Sequence, residues 1–519
     1  MKRAVLTLVL FAATANAQEL TLDEAIALAL EKNADVVVER ASVDIADATI
    51  LRAEAAYEPS LRGDARLRER TDPINSILSG APRGELAPTV RSFQTNASLV
   101  QLLSTGATVQ LFSGVQRDST NSILALLTPS WSTQLGAEVR QPLLQNRRID
   151  PARRAIRIAR TDRTRAESSL RRIASEVTAA VERAYWTAIA ARRDVEIRES
   201  SLRVAEKQRE DTRVRIEAGT QAEAELVQTT AEVERRRGEL VTSRENAIRA
   251  ENALRNLVAR GPDDPVWNRE LASGVGPMGS IAQATSPRSL KPEALIATAL
   301  ANRPELSELA TRLSRSDIEI ESALDRLRPQ VDLVAAYHGR GLAGTRNENA
   351  IEPFGPVVVA DDINGGLGRS LRTIGGNEFP DASLGVSVVI PIGNTAAKQD
   401  VAIARALRRQ SEATLDAARQ RVALEVRNAL AGIDSAEQRI ESARAAREAA
   451  EVQLQAERDR FEAGVSNTFF ILTRQNELAA AQLAETVAST DFRKAETELA
   501  RATGTLLAER NITVVGGTQ

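Results

Sequence analysis

Two five-residue stretches of this chain are almost identical, RIEAG at residues 215–219 and RFEAG at residues 460–464. Each ends a long segment without internal proline, residues 151–217 in the first case and residues 401–463 in the second. Glycine adopts the left-handed conformation that ends a helix without steric penalty. Each stretch therefore predicts a tight turn between two long helices. The turn explains the glycines but hardly explains the arginines, so a docking surface formed by Arg215, Gly219, Arg460 and Gly464 is an alternative interpretation.

These two stretches belong to an internal repeat, which is the most informative feature of the sequence. Duplication of one structural unit is the simplest explanation, and the first copy has extra residues between Pro59 and Gly136. We predict a first repeat at 18–260, a linker at 261–288, a second repeat at 289–510 and a C-terminal tail at 511–519. Other residues that match in the same order are Ala29 and Ala299, Leu30 and Leu300, Asp35 and Glu305, Pro59 and Pro329, Gly136 and Gly385, and Pro142 and Pro391.

Each copy is predicted to run helix, strand, loop, strand, long helix, tight turn, long helix. The first helices are expected at residues 22–58 and 292–328, each stopped by a proline, which supplies no amide donor. Alternating residues predict strand pairs within 60–144 and 330–392. Coiled-coil hairpins are then expected at 150–260 and 396–508.

The strand regions contain two junction prolines, a long loop and an extra hairpin. Pro142 and Pro391 close the last strand of each copy and mark the strand-to-helix junctions. Residues 339–380 are rich in Gly, Asn and Asp and predict a long exposed loop. Residues 94–116 predict a hairpin in the extra part of the first copy. From sequence alone this hairpin could extend a sheet, lengthen a loop or add two membrane strands.

Heptads in the long segments indicate how the helices pair. Large residues on one seam and alanine on the neighbouring seam allow close antiparallel packing in the manner of a coiled coil. In the first copy the companion positions are more polar. The large seam of the second copy contains Val426, Ile433, Ile440, Leu454 and Phe461, and that of the first copy contains Leu226, Val233, Leu240, Ala247 and Leu254.

The composition excludes several classes of chemistry. The 519 residues include no cysteine and one histidine, His338, so disulfides, thiolate nucleophiles, zinc–cysteine sites and histidine-dependent triads have nothing to be built from. A formal net charge of −2 gives no general attraction to nucleic acid. The 70 acidic residues are spread along helix faces, where solvation explains them. We therefore expect no enzyme activity, no metal and no cofactor.

The first 17 residues are typical of a secretory signal peptide. Lys2 and Arg3 precede an apolar stretch at 4–13, and residues 15–17 form a small-x-small cleavage site. This apolar stretch is too short to span a bilayer, which needs about 20 residues. No later run approaches about 18 apolar residues, so membrane insertion of the mature chain would have to use strands.

Taken together, these residues resemble the TolC-like outer membrane efflux protein family, the outer membrane factors. The similarity rests on LDEAI at 22–26, on QPLL at 141–144 and on the two tip stretches, in this order and repeated twice. It implies a mostly α protein with a β membrane domain. Each repeat would contribute two strands to a β-barrel shared by three chains and one hairpin to a periplasmic α-helical tunnel.

The resemblance also implies partners and a location. Such a homotrimer lies in the bacterial outer membrane, in contact with its lipid, and its helix tips dock onto a periplasmic adaptor bound to an inner-membrane pump. It exports drugs, metals or proteins passively, with no nucleic acid involved. The open alternatives are a periplasmic adaptor protein, which usually has one hairpin, and a structural coiled-coil envelope protein, for which the strands would be superfluous.

One departure from the family concerns the periplasmic entrance. Well-known members carry a pair of aspartates there, and the matching positions of this chain are Phe470 and Thr473. An apolar constriction formed by Phe469 or Phe470 is one expectation. Packing of these phenylalanines in the helix seam is the other. Members with an N-terminal lipid use a cysteine, which this chain lacks.

Overall fold

The structure is a computed structural model that describes residues 19–71, 73, 80–272, 291–351 and 358–514. The predicted signal peptide, residues 273–288 of the predicted linker and residues 515–519 of the predicted tail lie outside these ranges. The described chain is mostly helical and contains one antiparallel sheet, as predicted. No described helix is both long and apolar enough to cross a membrane.

Each copy begins with two short helices and contains two long helices, but the two copies differ in their strands. Ten helices and six strands are described, together with short 3-10 turns at Ala55–Tyr57 and Pro265–Asn268. The helices are α1 Leu22–Lys32, α2 Ala34–Glu54, α3 Pro151–Glu217, α4 Glu223–Val258, α5 Pro292–Asn302, α6 Pro304–Asp325, α7 Leu367–Gly375, α8 Thr395–Glu462, α9 Thr468–Thr503 and α10 Leu506–Glu509. The strands are β1 Ser60–Thr71, β2 Thr89–Leu102, β3 Thr108–Thr120, β4 Leu127–Pro142, β5 Gln330–Arg346 and β6 Phe379–Val389.

The first helix of each copy is broken, where the sequence predicted continuous helices over 22–58 and 292–328. Asn33 separates α1 from α2 in extended conformation, and its amide group donates to the carbonyl of Leu257 at 3.0 Å. Arg303 separates α5 from α6 and precedes Pro304, which disfavours helical geometry at the residue before it. The first break is therefore held by a residue distant in the chain, and the second has a local cause.

The chain divides into two compact units, which are described separately. The first unit comprises Met1–Ala46, Arg163–Arg312 and Glu412–Gln519, and the second comprises Asp47–Asp162 and Leu313–Ser411. All six strands belong to the second unit. The first unit contains most of the long hairpins, including both tips.

The second unit is built on a six-stranded antiparallel sheet with the order β1-β2-β3-β4-β5-β6. The first copy contributes four of these strands, so the expectation of two strands from each copy is wrong for the first copy. The predicted hairpin at 94–116 is the cause, because β2 and β3 pair from Val90 with Thr120 to Leu102 with Thr108. The hairpin therefore extends the sheet.

The predicted exposed loop at 339–380 is also only partly correct. Strand β5 continues to Arg346, and helix α7 packs on β4 and β5. The hydroxyl of Thr133 lies 2.7 Å from that of Ser370. A Cβ atom on Gly341 would lie 2.0 Å from the carbonyl oxygen of Ser370, so only glycine permits this close approach. Gly341, which favoured a loop in the sequence, therefore allows α7 to pack closely on β5.

The first unit is held together by the predicted helix seams. Phe492 of α9 packs with the seam of α8 in one buried cluster, and a second cluster joins α8 to α5 and α6. Large and small positions of α8 are both buried, as the heptads predict. The buried seam residues of α8 are Val422, Val426, Ala429, Ile433, Ala436, Ala450 and Leu454.

Asp264 fastens helix α1 to the segment that follows α4. Its carboxylate accepts hydrogen bonds from the backbone N–H groups of Val266 and Arg260 at 3.0 and 3.1 Å, and from Lys32 Nζ at 3.0 Å. These hydrogen bonds, those from the backbone first, lower the pKa of Asp264 to about 2. Because the folded state favours the charged form, this group stabilises the fold above the pKa of an unfolded aspartate, about 3.9.

We expect the D264N variant to lose up to about 2.5 kcal/mol of unfolding free energy at neutral pH, since each pKa unit corresponds to about 1.4 kcal/mol and the shift is nearly two units. The loss relative to the parent should shrink as the pH falls through about 2, where the parent carboxylate is protonated. Denaturant titrations of the purified proteins at several pH values measure both. The neighbouring exposed D263N variant is the control, and an equal loss in both variants would contradict this role.

Candidate functional site: the paired hairpin tips

The first tip is formed by the end of α3 and the start of α4. Gly219 has a φ of 75°, in the left-handed region, and its N–H donates to the carbonyl of Ile216 at 2.9 Å. The N–H of Thr220 donates to the carbonyl of Arg215 at 2.9 Å, and its hydroxyl donates to the same oxygen at 2.8 Å. These bonds satisfy the last carbonyls of α3 in the manner of a Schellman cap.

The second tip repeats this geometry at the end of α8. Gly464 has a φ of 74°, and the N–H of Val465 donates to the carbonyl of Arg460 at 3.0 Å. Asn467 caps α9 by accepting a hydrogen bond from the N–H of Phe470 at 3.3 Å. A Cβ atom at Gly219 or Gly464 would meet nothing within 4 Å. The backbone conformation alone therefore requires glycine at both tips.

The two tips lie against each other. The guanidinium of Arg215 stacks over the ring of Phe461 at 4.7 Å, a cation–π contact between the two RxEAG stretches. The hydroxyl of Thr468 donates to the Glu225 carboxylate at 3.0 Å, which joins the starts of α9 and α4. Arg215 thus has a structural role that a simple turn did not predict. Arg460 instead pairs with Glu457 of its own helix at 3.5 Å and is largely exposed.

Apolar side chains are exposed beside these contacts. Phe469 and Phe470 are 54% and 49% exposed, and their rings meet edge to face at 5.7 Å. Neither ring is buried in the seam of the protomer, because the adjacent Ile471 and Leu472 occupy that position. The Thr473 hydroxyl donates to the carbonyl of Phe469 at 2.9 Å. The three residues of the expected constriction are therefore neighbours on the first turns of α9.

Behind the tips, a buried arginine connects both hairpins. Arg236 of α4 is 1% exposed. It donates to Glu232 at 2.7 Å, to the carbonyl of Ser201 on α3 at 2.7 Å, and to Gln475 on α9 at 3.4 Å. Asn476 of α9 also donates to Glu232, at 3.1 Å. These bonds link three helices through one polar cluster.

The ionisation of Glu232 fits this network. Burial favours its neutral form, but hydrogen bonds from Arg235, Arg236 and Asn476 outweigh burial and keep its pKa below the usual value. Sequence reasoning identified the polar companion seam of the first copy without assigning it a role. Its members at seven-residue spacing, Thr229, Arg236 and Ser243, are all buried. The heptad was therefore the signal that could have located the cluster.

The two predicted strand-to-helix junctions lie in the second unit. Pro142 is the last residue of β4 and pairs with Asp332, after which Asn146 turns the chain with a φ of 64°. The N–H of Asn146 donates to the buried Asp325 at 2.6 Å. Pro391 follows β6, and Gly393 turns the chain before α8 with a φ of 82°. Each proline thus stands between a strand and a long helix.

The described residues contain no group of three or more His, Asp or Glu side chains placed to hold a metal ion. His338 lies in the sheet, where its Nε2 atom is 2.9 Å from Asp381. It has no nucleophile among its described partners.

This combination of one antiparallel sheet and two long helical hairpins is the fold of outer-membrane channels of known structure. A membrane protein from Pseudomonas aeruginosa is similar at 18% identity, with a TM-score of 0.64 over 93% of this chain and 92% of that chain. The CmeC outer membrane channel of Campylobacter jejuni gives 14% identity and a TM-score of 0.63, over 93% and 86% of the two chains. The outer membrane protein VceC of Vibrio cholerae gives 15% identity and a TM-score of 0.61, over 93% and 96%.

Residues 295–505 match the family model of the outer membrane efflux protein. The predicted resemblance to the TolC-like outer membrane efflux family is therefore confirmed, by the family model over the second copy and by the fold over nearly the whole chain. None of the curated protein sequences is significantly similar to this chain. The channel fold does not favour a periplasmic adaptor or a purely structural coiled coil.

Replacing Arg236 tests whether its buried hydrogen-bond cluster holds the two hairpins together. We expect R236M to lower the unfolding free energy by about 3 kcal/mol, because it removes one partner of a buried ion pair and leaves the Ser201 carbonyl without its donor. The control is R235M, which removes the neighbouring arginine from the same carboxylate at a site that is 45% exposed. Thermal unfolding of both purified variants measures these losses, and R235M should lose less than about 1 kcal/mol. Equal losses would show that burial of Arg236 does not matter.

Proposed function

We propose that this chain forms a trimeric channel in the bacterial outer membrane and serves as the passive exit duct of a tripartite efflux or secretion system. The observation that carries the proposal is the sheet of the second unit, which has one mainly apolar face, one mainly polar face and two edges that no other described strand pairs. The family resemblance supports the class of channel, and such a sheet can be stable in lipid only if its edges are paired.

The apolar face of the sheet is exposed along both edge strands, whereas helix α7 covers part of it on β4 and β5. The alternate residues of β6 from Ala382 to Val388 are apolar, and Leu384 is 76% exposed. In a bilayer such a face is stabilised by lipid, provided that every backbone group is paired within a closed barrel. The exposed large apolar residues that the two edge strands place on this face are Leu61, Leu67, Leu384, Val386 and Val388.

The sheet topology also allows closure between copies. Six antiparallel strands give β1 and β6 opposite directions. Strand β6 of one copy can therefore pair antiparallel with β1 of the next, and the contact repeats until the barrel closes. Three six-stranded sheets fall within the range of known outer-membrane barrels, and three is the number that the family resemblance implies.

The paired tips supply the surface for a partner. Gly219 and Gly464 are open to solvent, and the exposed Val465 lies beside the exposed Arg460. An apolar patch with a basic neighbour is typical of a protein interface. We assign it to the periplasmic adaptor of an inner-membrane pump, in agreement with the interpretation of Arg215, Gly219, Arg460 and Gly464 as docking residues.

Transport through this duct is passive. The partners supply the energy, and opening requires the hairpins to slide. The contacts between the hairpins that such sliding must break include the Arg215–Phe461 contact, the Thr468–Glu225 hydrogen bond and the Arg236 cluster. Phe469, Phe470 and Thr473 would form the constriction at the periplasmic entrance. The signal peptide at 1–17 would direct the chain to this location.

Substitutions at two adjacent residues of β6 test whether the apolar face of the sheet contacts lipid. We expect L384R to reduce the amount of protein in the outer membrane, since an arginine facing lipid near the bilayer midplane costs about 2 to 4 kcal/mol. The control S383R places the same charge on the polar face and should insert normally. Cell fractionation measures insertion, and light scattering of detergent-purified parent and S383R should give a mass near three chains. A soluble periplasmic pool or a monomer in the parent would contradict the proposal.

Two substitutions at one glycine test docking. G464A and G464W impose the same left-handed strain, about 1 to 2 kcal/mol, but only tryptophan projects into the open space beside the tip. We therefore expect G464A to remain coupled to the adaptor and G464W to lose coupling, with trimer assembly intact in both.

A photoreactive cross-linker placed at Thr220, on the other tip, measures this coupling in cells. The parent should cross-link to a periplasmic protein of the adaptor class, and G464W should show a marked loss of that product. Equal cross-linking in both variants would remove the tips from the docking surface while leaving the channel itself unaffected.

A further inference from the structure

The polar face of edge strand β1 carries a row of arginines. Arg62, Arg66, Arg68 and Arg70 stand at even-numbered positions of the strand, and Asp64 is the single acid in the row. The odd-numbered positions include Leu61 and Leu67, which are exposed on the apolar face. Strand β1 therefore places its arginines on one face of the sheet and its leucines on the other.

Contacts across four strands fix the face to which the row belongs. The Asp64 carboxylate accepts a hydrogen bond from Asn96 on β2 at 3.0 Å. A Cβ atom on Gly114 of β3 would contact the side chains of both Asn96 and Gln134, the latter on β4. Asp64, Asn96 and Gln134 therefore share one face, and the arginines of the row lie on it by the period of two.

Arginines elsewhere on this face are neutralised by carboxylates. Arg140 lies 3.6 Å from Asp332, and Arg340 donates to Asp381 at 2.9 Å. Arg62, Arg66 and Arg68 differ, because each lacks an ion-pair partner among the residues that the structure describes.

The nearby acids offset only part of the charge of the row. Asp64 is bonded to the amide of Asn96, and Asp118, two strands away on the row of Arg68, accepts from Gln116 at 2.8 Å. Because a side-chain amide is neutral, these two carboxylates keep their negative charge, but they face the four arginines of β1. The edge of the polar face therefore has an excess of positive charge. Because the arginines belong to a strand, the strand register fixes their positions.

We propose that this arginine row makes the channel selective for anions, so that its preferred solutes carry negative charge. The inference rests on the proposed function, in which the polar face lines the water-filled lumen and the row is repeated by every copy. Rings of arginine or lysine select anions in pores, because fixed positive charge raises the local anion concentration in a narrow aqueous passage.

The same physics predicts a dependence on ionic strength. The Debye length is about 10 Å at 0.1 M salt and about 3 Å at 1 M. Exposed lumenal charges therefore act across much of the passage in dilute salt and over a short range in concentrated salt. Anion selectivity should weaken as the salt concentration rises.

Planar-bilayer recordings with the full-length protein test the inference. The probe is potassium chloride in a concentration gradient, and the reversal potential gives the ratio of chloride to potassium permeability. We expect a ratio above one for the parent, and a decrease of about twofold or more in R66Q/R68Q. R66K/R68K keeps the charge and should keep the parent ratio, which separates the charge from any effect on folding.

The matched control is R91Q/R117Q, which removes two arginines from the opposite face of neighbouring strands, one paired with Glu69 and one stacked on Trp131. Its permeability ratio should equal that of the parent. A conducting channel that prefers potassium, or whose ratio is the same in R66Q/R68Q as in the parent, would overturn the inference and leave the proposed channel standing. Absence of any conductance would overturn both.

Discussion

Strands β1 and β6 each have one row of backbone N–H and C=O groups that no other described strand of the chain pairs. Such edges are a hazard in water and cannot exist in lipid, where no solvent replaces the missing hydrogen bonds. The sheet is also long and has an exposed apolar face. Pairing of β6 with β1 of another copy would satisfy both edges, and lipid would cover the apolar face. These two requirements link the strand count, the face pattern and the proposed assembly.

The long helices of the hairpins must stay in register although few large side chains lie between them. Alanine and medium-sized apolar residues fill the seam of α8. Specific polar contacts then fix how one hairpin meets the other, through Arg215 with Phe461 and through Arg236 with Gln475. Apolar seams tolerate sliding, whereas a buried hydrogen-bonded arginine has few alternative partners. The polar cluster therefore sets which arrangement of the helices is preferred.

The sequence was sufficient for most features whose cause is local, although it missed the helix break before Pro304. The left-handed conformation of Gly219 and Gly464, the seam of Val426 and Ile433, and the prolines at the junctions all follow from neighbouring residues. It was insufficient where the partner is distant. The hairpin at 94–116 could be placed in the sheet only by its register with β1 and β4, and α7 was hidden because its glycine-rich surroundings resemble a loop. Likewise, the position of Arg236 in a seam does not predict its hydrogen-bond partners Ser201 and Gln475, which are distant in the sequence.

The hairpin β2–β3 makes the two halves of the chain unequal, since only the first copy has it. The circumference of a closed barrel grows in proportion to the number of its strands. With six strands from each chain instead of the four expected from two equal copies, the proposed barrel would be about one and a half times wider at the same strand tilt. An insertion that leaves the helical hairpins of both copies alike can thus change the calibre of the outlet, and with it the size of solute that leaves the cell.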